Sequence, residues 1–408
     1  MLRLICGMGL CLGWTTAVAA QERLSLEQAL QLALRNNPRI TAARQRVAAA
    51  QGRVDSARSH PNPELQLIPA GKIDDAQLVL FQPTELLSGR RTLRHRAARA
   101  EAAAAEADLH AEMLALTFDV TTAYVAWQEA VKVQQLTEKS VALARRLHET
   151  AQKQFDAGDV PRAHVIRTRI ELASAEQELT AARAMTDMRR AALNTLLARA
   201  PHTLAAPADD LTYTPREVDV SDLIGIALAQ RPEIQAAQFN AQSGEFIVQF
   251  ARAQRRPDLL FEWRSVRLTR HEGRAVGVGL SFPLLDFGRI RGEVRAAAAE
   301  AAARRALLVQ VQQTVALEVE AALRRLRAAR EQVEIYTKRI SPDVEELMKM
   351  MQAGYPEGVT LLEVIDAQRT LTTTGIQFVR AVAEHQRALT ELERAIGGTL
   401  PASDAARR

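Results

Sequence analysis

Few residues in this chain have the spacing that catalytic or metal-binding chemistry requires. The eight histidines are scattered, and none lies at metal-ligand spacing with a carboxylate. Met348, Met350 and Met351 carry thioethers, which can bind soft copper ions, although packing between helices is the commoner role of such methionines. No glycine-rich phosphate-binding loop is present, so a partner must power any transport. The sequence predicts neither an enzyme nor a resident cofactor or metal.

Residues 1–20 have the pattern of a secretory signal peptide. Arg3 precedes an apolar stretch over 4–14, and small residues at A-x-A spacing follow. The chain's two cysteines, Cys6 and Cys11, lie in this segment, so we expect the exported protein to lack disulfides. No later window holds 18 consecutive uncharged apolar residues, which argues against a membrane-spanning helix. The formal charge of +5 is spread along the chain, so we predict no nucleic-acid partner.

The chain carries two copies of one pattern. Asn37-Pro38 recurs as Arg231-Pro232, 194 residues later, and the surrounding residues recur with it. Pro83 recurs as Pro283, 200 residues later. Solenoid units run to only about 20 to 50 residues, so this is a duplicated half-molecule.

The repeat divides the chain into parts. We predict a first half over 21–200, a proline-containing linker over 201–218 and a second half over 219–397. Residues 398–408 read as a flexible tail. Each half should contain a short helix, a longer helix, a strand pair, a very long helix, a glycine turn and a returning helix.

The first half is predicted in some detail. Helices are expected over Leu26–Asn37 and Arg39–Arg58, with Ser25 as the N-cap of the first. No proline interrupts 84–160, so residues 90–155 can form one helix about 100 Å long at about 1.5 Å per residue. No ordinary domain is that wide.

The second half is expected to differ mechanically. Short helices are predicted over Ser221–Gln230 and Glu233–Gln254, with Asp219 or Ser221 as the first N-cap. A long helix should start near Arg289. Pro342 should kink or break it. Heptad-like spacing predicts a coiled-coil seam through Val333, Tyr336, Ile340, Val344, Leu347 and Met351.

Two strand pairs bounded by prolines are predicted over 63–82 and 257–283, and their residue pattern indicates whether the chain enters a membrane. Val276, Val278 and Leu280 alternate with small residues, which gives one apolar and one small or polar face. A membrane barrel needs strands of this kind, whereas the alternative is a soluble hairpin packed on the helices. Four strands cannot close a barrel, so a membrane location predicts a homo-oligomer.

The motifs, in this order across a duplicated chain, resemble the TolC-like outer-membrane efflux channels. Within that family the chain is most similar to the branch that accompanies heavy-metal efflux pumps, the CzcC and CusC type. The resemblance covers nearly all of the exported chain. The motifs that carry it are Leu24-Ser25-Leu26, Asn62-Pro63-Glu64-Leu65, Gln82-Pro83 with Gly89-Arg90-Arg91, Phe282–Arg289, and Tyr355-Pro356-Glu357-Gly358 leading into Leu362–Leu371.

The resemblance implies a mainly α fold with a small β-barrel. Three chains would form a homotrimer whose twelve strands close one barrel in outer-membrane lipid, and whose helices form a coiled-coil tunnel across the periplasm. The implied function is a passive exit duct for metal cations or small toxic compounds. A periplasmic adaptor and an inner-membrane RND-type pump would be its partners.

The resemblance also implies site residues at the periplasmic tips, over 155–161 and 355–360. An entrance gate falls on Tyr355, Glu363 and Asp366. The two carboxylates are three residues apart and share a helix face, so a three-fold ring of them would narrow the entrance and favour cations. The alternative is that they form salt bridges to neighbouring helices. Adaptor contacts fall on Phe155, Gly158, Asp159, Val160, Gly358, Val359 and Thr360.

Two other functions compete with the channel. An exported coiled-coil scaffold or adhesin would also have long helices, with soluble hairpins and no conductance. A periplasmic adaptor is disfavoured by the duplication, because adaptors have one helical hairpin flanked by β-rich domains.

Overall fold

A computed structural model describes residues 22–69, 77–213, 215, 222–267, 272–281, 283–354 and 360–400. The predicted signal peptide lies outside these ranges. Nine α-helices and six β-strands occur within them, and both halves have the predicted order of helices and strands, while the predicted glycine turn of the second half lies outside the described residues. Among the described residues, no helix is long and apolar enough to cross a membrane.

The first half follows its predicted bounds closely. Ser25 caps the first helix in a capping box with Gln28, and Gly89, at φ 69°, precedes the longest helix. That helix, α3, has 67 residues and is about 100 Å long. The elements are β1 (Glu22–Leu24), α1 (Leu26–Asn36), α2 (Pro38–Arg58), β2 (Glu64–Ile68), β3 (Gln77–Pro83), α3 (Arg90–Asp156) and α4 (Arg162–Leu196).

The second half differs from prediction at its first cap. Asp222, at φ 59°, caps that helix by accepting a hydrogen bond from Gly225, whereas Asp219 and Ser221 lie outside the described residues. The elements are β4 (Ala205–Pro207), α5 (Leu223–Gln230), α6 (Pro232–Ala253), β5 (Asp258–Arg267), β6 (Glu272–Ser281), α7 (Arg289–Ile335), a π-helical turn (Tyr336–Ile340), α8 (Ser341–Gly354) and α9 (Leu361–Ile396).

Each half has its own apolar core at mid-length of its long helix. Leu116, Val120, Tyr124 and Trp127 of α3 pack on α1 and the end of α4. The residues 199 positions later, Val315, Val319, Leu323 and Leu326 of α7, pack in the same way on α5 and the end of α9. The duplication therefore extends to the side chains that hold each half together.

Helix α3 is the element that joins the two halves. It packs against α2 and α4 of its own half and against α6 and α9 of the other. Much of the buried surface is alanine, at Ala97, Ala100, Ala104 and Ala107 on α3. Small side chains let helix axes approach closely, which suits one layer of long helices better than a thick globular core.

The segments beyond the two halves are more ordered than the sequence indicated. In the predicted linker, β4 pairs in parallel with β1, and Leu26 N–H donates a 2.8 Å hydrogen bond to Asp209. At the predicted tail, Gly397 has φ 85° and Gly398 N–H bonds the Glu393 carbonyl at 3.0 Å, which ends α9 in a Schellman motif. Residues 401–408 lie outside the described residues.

Pro342 lies where the long α-helix is interrupted, although the chain stays helical there, and the buried seam differs from the prediction at one position. A π-helical turn precedes it, and Ser341 N–H bonds the Tyr336 carbonyl. This turn holds one extra residue, so the buried position after Val344 is Met348, whereas Leu347 is exposed. The prediction of Leu347 in the seam was therefore wrong.

Candidate functional site: helical tips and an open sheet

The first helical tip is a tight turn built on Gly158. Its N–H bonds the Phe155 carbonyl at 3.0 Å, and Asp159 N–H bonds the Gln154 carbonyl at 2.9 Å. Gly158 has φ 87°, a conformation that side chains with a Cβ rarely adopt. This Schellman motif ends α3 at Asp156, so Phe155 is in the last helical turn. It is exposed there, as is Asp159, whereas Val160 is half-buried.

The second tip is capped differently. Thr360 is the N-cap of α9, and its hydroxyl accepts a hydrogen bond from Glu363 N–H at 3.3 Å. The Glu363 carboxylate accepts in return from the Thr360 N–H and hydroxyl, each at 2.7 Å. These bonds form a capping box. Tyr355, Gly358 and Val359 lie outside the described residues.

Glu363 and Asp366 both lie on the exposed face of the first turns of α9. Among the described residues, neither carboxylate forms an ion pair, so the predicted alternative of salt bridges to neighbouring helices is not found in that part of the chain. The hydrogen bond from the Thr360 backbone, and then that from its hydroxyl, lower the pKa of Glu363. Glu363 therefore stays charged to lower pH than an ordinary glutamate.

The first turn of α4 has no equivalent of the negative charge on the first turns of α9, although Asp156 and Asp159 are exposed in the first tip. Pro161 precedes α4 without a side-chain cap, and the first turn of α4 contains no acidic residue. Since the two halves are otherwise so alike, the acidic first turn is a distinguishing feature of α9.

Two polar contacts that the sequence did not reveal tie the helices together above the tips. Arg369 of α9 holds Glu171 of α4 through a two-pronged ion pair, with Nε at 2.7 Å from Oε1. Gln368, which is buried, donates to the Ser140 carbonyl of α3 at 3.2 Å. Interhelical partners of this kind have no local sequence signal, because they depend on the register between distant helices.

The four longer strands form one sheet in the order β2-β3-β5-β6. The pair β3–β5 joins the two halves, with Pro83 opposite Leu260. Among the described residues, the edge strands β2 and β6 each pair with a single neighbouring strand. The sheet is therefore open at both edges, which leaves backbone groups unpaired there.

One face of this sheet is apolar and uncovered. Cross-strand partners point to the same face, so the register places ten apolar side chains together. Leu67 on the edge strand β2 is 74% exposed and Val276 on the edge strand β6 is 80% exposed. The predicted alternative, hairpins packed on the helices, is therefore wrong for this face. Its apolar members are Leu65, Leu67, Leu78, Leu80, Leu259, Phe261, Trp263, Val276, Val278 and Leu280, and the polar Gln82, Ser265 and Arg274 lie on the same face.

The residues with potential metal chemistry do not converge in the described part of the chain. No group of three or more histidine, cysteine, aspartate or glutamate side chains is placed to hold a metal ion there. Met348 is buried in the helical seam, whereas Met350 is exposed. The arrangement favours packing over copper binding for Met348.

Solved structures share this arrangement of duplicated long helical hairpins and a four-stranded sheet. The chain aligns with the channel OprN at a TM-score of 0.78 and 21% identity, covering 91% of this chain and 90% of the other. It aligns with CusC at a TM-score of 0.76 and 19% identity, covering 91% and 92%.

The sequence agrees with the fold. The chain belongs to the outer membrane efflux protein family, whose model matches residues 29–199 and 223–398. It is 26% identical over 387 residues to the cobalt-zinc-cadmium resistance protein CzcC of Cupriavidus metallidurans, covering 92% of this chain and 90% of that protein. The resemblance on which the sequence analysis relied is confirmed, and the protein is of the outer-membrane efflux channel class.

Proposed function

We propose that three copies of this chain form the exit duct of a tripartite efflux system. Twelve strands, four from each copy, close one barrel in the outer membrane. The helices continue from the barrel as a tunnel that crosses the periplasm. The duct is passive, and an inner-membrane RND-type pump supplies the energy through a periplasmic adaptor.

The observation that carries this proposal is the open sheet with its apolar face. An exposed apolar surface of this extent is costly in water and is stabilised in hydrocarbon. In hydrocarbon, however, the open edges would leave backbone groups unpaired at several kcal/mol each. Copies of the same chain that pair edge to edge satisfy both conditions, because every edge then gains a partner.

The helical tips are the proposed entrance. Glu363 and Asp366 of three copies, with Tyr355, form the constriction, and their negative charge favours cations. Opening is a rearrangement of helices at the tips. The adaptor docks on the first tip, at Phe155, Gly158, Asp159 and Val160, and on Gly358, Val359 and Thr360 of the second.

The proposed substrates are heavy-metal cations, with small toxic compounds as the broader class. The similarity to a cobalt-zinc-cadmium resistance protein supports the metal assignment. The acidic first turn of α9 is consistent with it, because a ring of carboxylates attracts cations. The pump, rather than the duct, chooses among substrates.

Purification from outer membranes and planar-bilayer recording test the proposal. We expect a detergent-dependent trimer that dissociates on heating and that conducts in bilayers with preference for cations. A monomer that stays soluble without detergent and never conducts would contradict it and would favour the scaffold or adhesin function.

A further inference from the structure

The turn that leads from β3 into α3 is anchored by one buried carboxylate from the other half. Asp258, at the start of β5, is 5% exposed. Its Oδ2 accepts from the Ser88 hydroxyl at 2.6 Å and from Arg90 Nη2 at 3.2 Å. Its Oδ1 accepts from Leu87 N–H at 3.2 Å. These contacts fix the strand-to-helix turn against the neighbouring strand.

The sequence repeat supplies a second copy of this anchor. Pro63-Glu64-Leu65 answers Pro257-Asp258-Leu259, so Glu64 occupies the position of Asp258. Gly89-Arg90 is answered by Gly288-Arg289, so Arg289 occupies the position of Arg90. Within one chain these two counterparts cannot meet as the first pair does, because β2 and β6 are opposite edges of the sheet.

In the single chain, Glu64 and Arg289 can each bind a further partner. Glu64 is exposed, and among the described residues its carboxylate forms no hydrogen bond or ion pair. The Arg289 side chain is 64% exposed, and its Nη1 bonds Glu293 at 2.5 Å. A guanidinium has five N–H donors, so this contact leaves room for a second carboxylate.

We propose that Glu64 of one protomer binds Arg289 of its neighbour, and that this ion pair anchors the turn from β6 into α7. The contact repeats at each protomer boundary what Asp258 and Arg90 do within a chain. This inference rests on the proposed trimer. It adds the specific pair and the strand register that bring two copies together.

The in-chain register of β3 and β5 predicts the register between copies. Phe81 lies opposite Glu262. In the repeat, Ser281 corresponds to Phe81 and Ile68 corresponds to Glu262. We therefore expect Ser281 to lie opposite Ile68 of the neighbouring protomer. In this register the apolar side chains of β6 stay on the same side as those of β2, because side chains alternate with a period of two. The apolar faces of the two copies thus lie on the same side of the sheet at the boundary.

Cysteine cross-linking tests the register in the full-length protein, whose native cysteines both lie in the predicted signal peptide. Directly opposed residues are close enough for a disulfide. We expect Ile68→Cys/Ser281→Cys to give covalent dimers and trimers on non-reducing gels. Phe81→Cys/Glu262→Cys should oxidise within one chain and give no ladder. Ile68→Cys/Val276→Cys should not cross-link, since Val276 lies about 16 Å along the strand and on the other face.

A double-mutant cycle tests the ion pair. We expect Glu64→Gln and Arg289→Gln each to lower the temperature at which trimers dissociate, and the double variant to lower it no further than the worse single variant. Glu262→Gln, which alters a carboxylate on the same sheet, should not show this coupling to Arg289→Gln. If trimers and conductance are normal but the two single effects are additive, the Glu64–Arg289 pair is wrong. If trimers and conductance are normal but Ile68→Cys/Ser281→Cys does not cross-link, the register is wrong. Either result would leave the proposed channel intact. Absence of any trimer or conductance from the unmodified chain would overturn the proposed function itself.

Discussion

The Thr360 backbone N–H donates a 2.7 Å hydrogen bond to the Glu363 carboxylate, and this bond begins helix α9. Glu363 therefore has two roles in the proposed channel. It caps the helix within its own chain, and it contributes negative charge at the entrance. An alanine substitution would remove both together, so the two roles need separate variants.

Glutamine at position 363 separates the capping role from the charge, because its amide oxygen can still accept the capping bond but carries no charge. If the charge holds the entrance in its resting state, Glu363→Gln with Asp366→Asn raises resting conductance and reduces cation preference in planar bilayers. Glu363→Ala should also lower the helical content near the tip. If the glutamine–asparagine variant matches the unmodified channel while the alanine variant leaks, the cap rather than the charge maintains the closed state.

The same bond sets a pH dependence. Since the pKa of Glu363 is lowered, its charge is present above the ordinary glutamate pKa of about 4.3 and is lost as pH falls through the lower folded value, whereas the neutral carboxyl can still accept the capping bond. Resting conductance that depends on Glu363 should therefore be constant from pH 7 to about 4.3 and rise only below it.

The residues of α9 also show what the sequence could and could not predict. The Thr-x-x-Glu pattern at Thr360 and Glu363 is a readable capping signal, but the resemblance drew attention to charge instead. The order and bounds of the long helices were predictable, because their periodicity and proline spacing are local. The β1–β4 pairing was not predictable, because it joins distant parts of the chain through strands too short to show a pattern. The Asp258 anchor was not predictable either, because it is made by single side chains far apart in sequence.

Pro342 shows the same limit within one helix. Its ring clashes with a preceding carbonyl and it lacks an N–H, so a break was predictable. The π-helical turn that accommodates it moves the seam by one residue, which only the structure shows.

Replacing Pro342 should reverse this shift. Pro342→Ala restores the missing donor, so the chain can continue as an α-helix and α8 should rotate by about one residue, roughly 100°. Met348→Cys should be protected from maleimide in the native background and labelled in Pro342→Ala, and Leu347→Cys should show the opposite change. Unchanged labelling of both positions would mean that packing, not proline, holds the π-helical turn.

The Glu171–Arg369 ion pair is expected to hold α9 against the first hairpin. Glu171 is only 15% exposed, although Arg369 is largely in solvent, so the pair is worth on the order of 1 kcal/mol. Glu171→Gln or Arg369→Gln should raise the open-to-closed ratio by about fivefold. Glu176→Gln is the matched control, because its Arg145 pair joins α3 to α4 without α9. Equal effects from the control would assign the change to general loosening of the hairpin.

His385 should make the stability of the helical region depend on pH. It is buried with its ring 5.0 Å from that of Tyr213, and burial, with a smaller effect of Arg330, lowers its pKa. The unfolded chain then binds the proton more readily, so stability is full above about pH 6.5 and declines as pH falls below it, by at most about 1.4 kcal/mol per unit. In thermal unfolding followed by circular dichroism, we expect a lower unfolding temperature at pH 5.5 than at pH 7.5. Most of this difference should disappear in His385→Gln. Replacement of the exposed His202 by Gln should retain that difference.

Adjacent positions of β6 give the sharpest test of the membrane face. Val278 lies on the apolar face, whereas Gly277 lies on the opposite face, across from Glu262, with open space where a side chain would begin. An arginine facing lipid costs about 2–4 kcal/mol near the bilayer midplane, but one facing a wet interior costs little. Val278→Arg should therefore sharply reduce the amount of heat-modifiable trimer in outer membranes, while Gly277→Arg should assemble and alter ion selectivity. Loss of assembly in Gly277→Arg with normal assembly of Val278→Arg would show that the faces are reversed, with lipid on the side of Glu262.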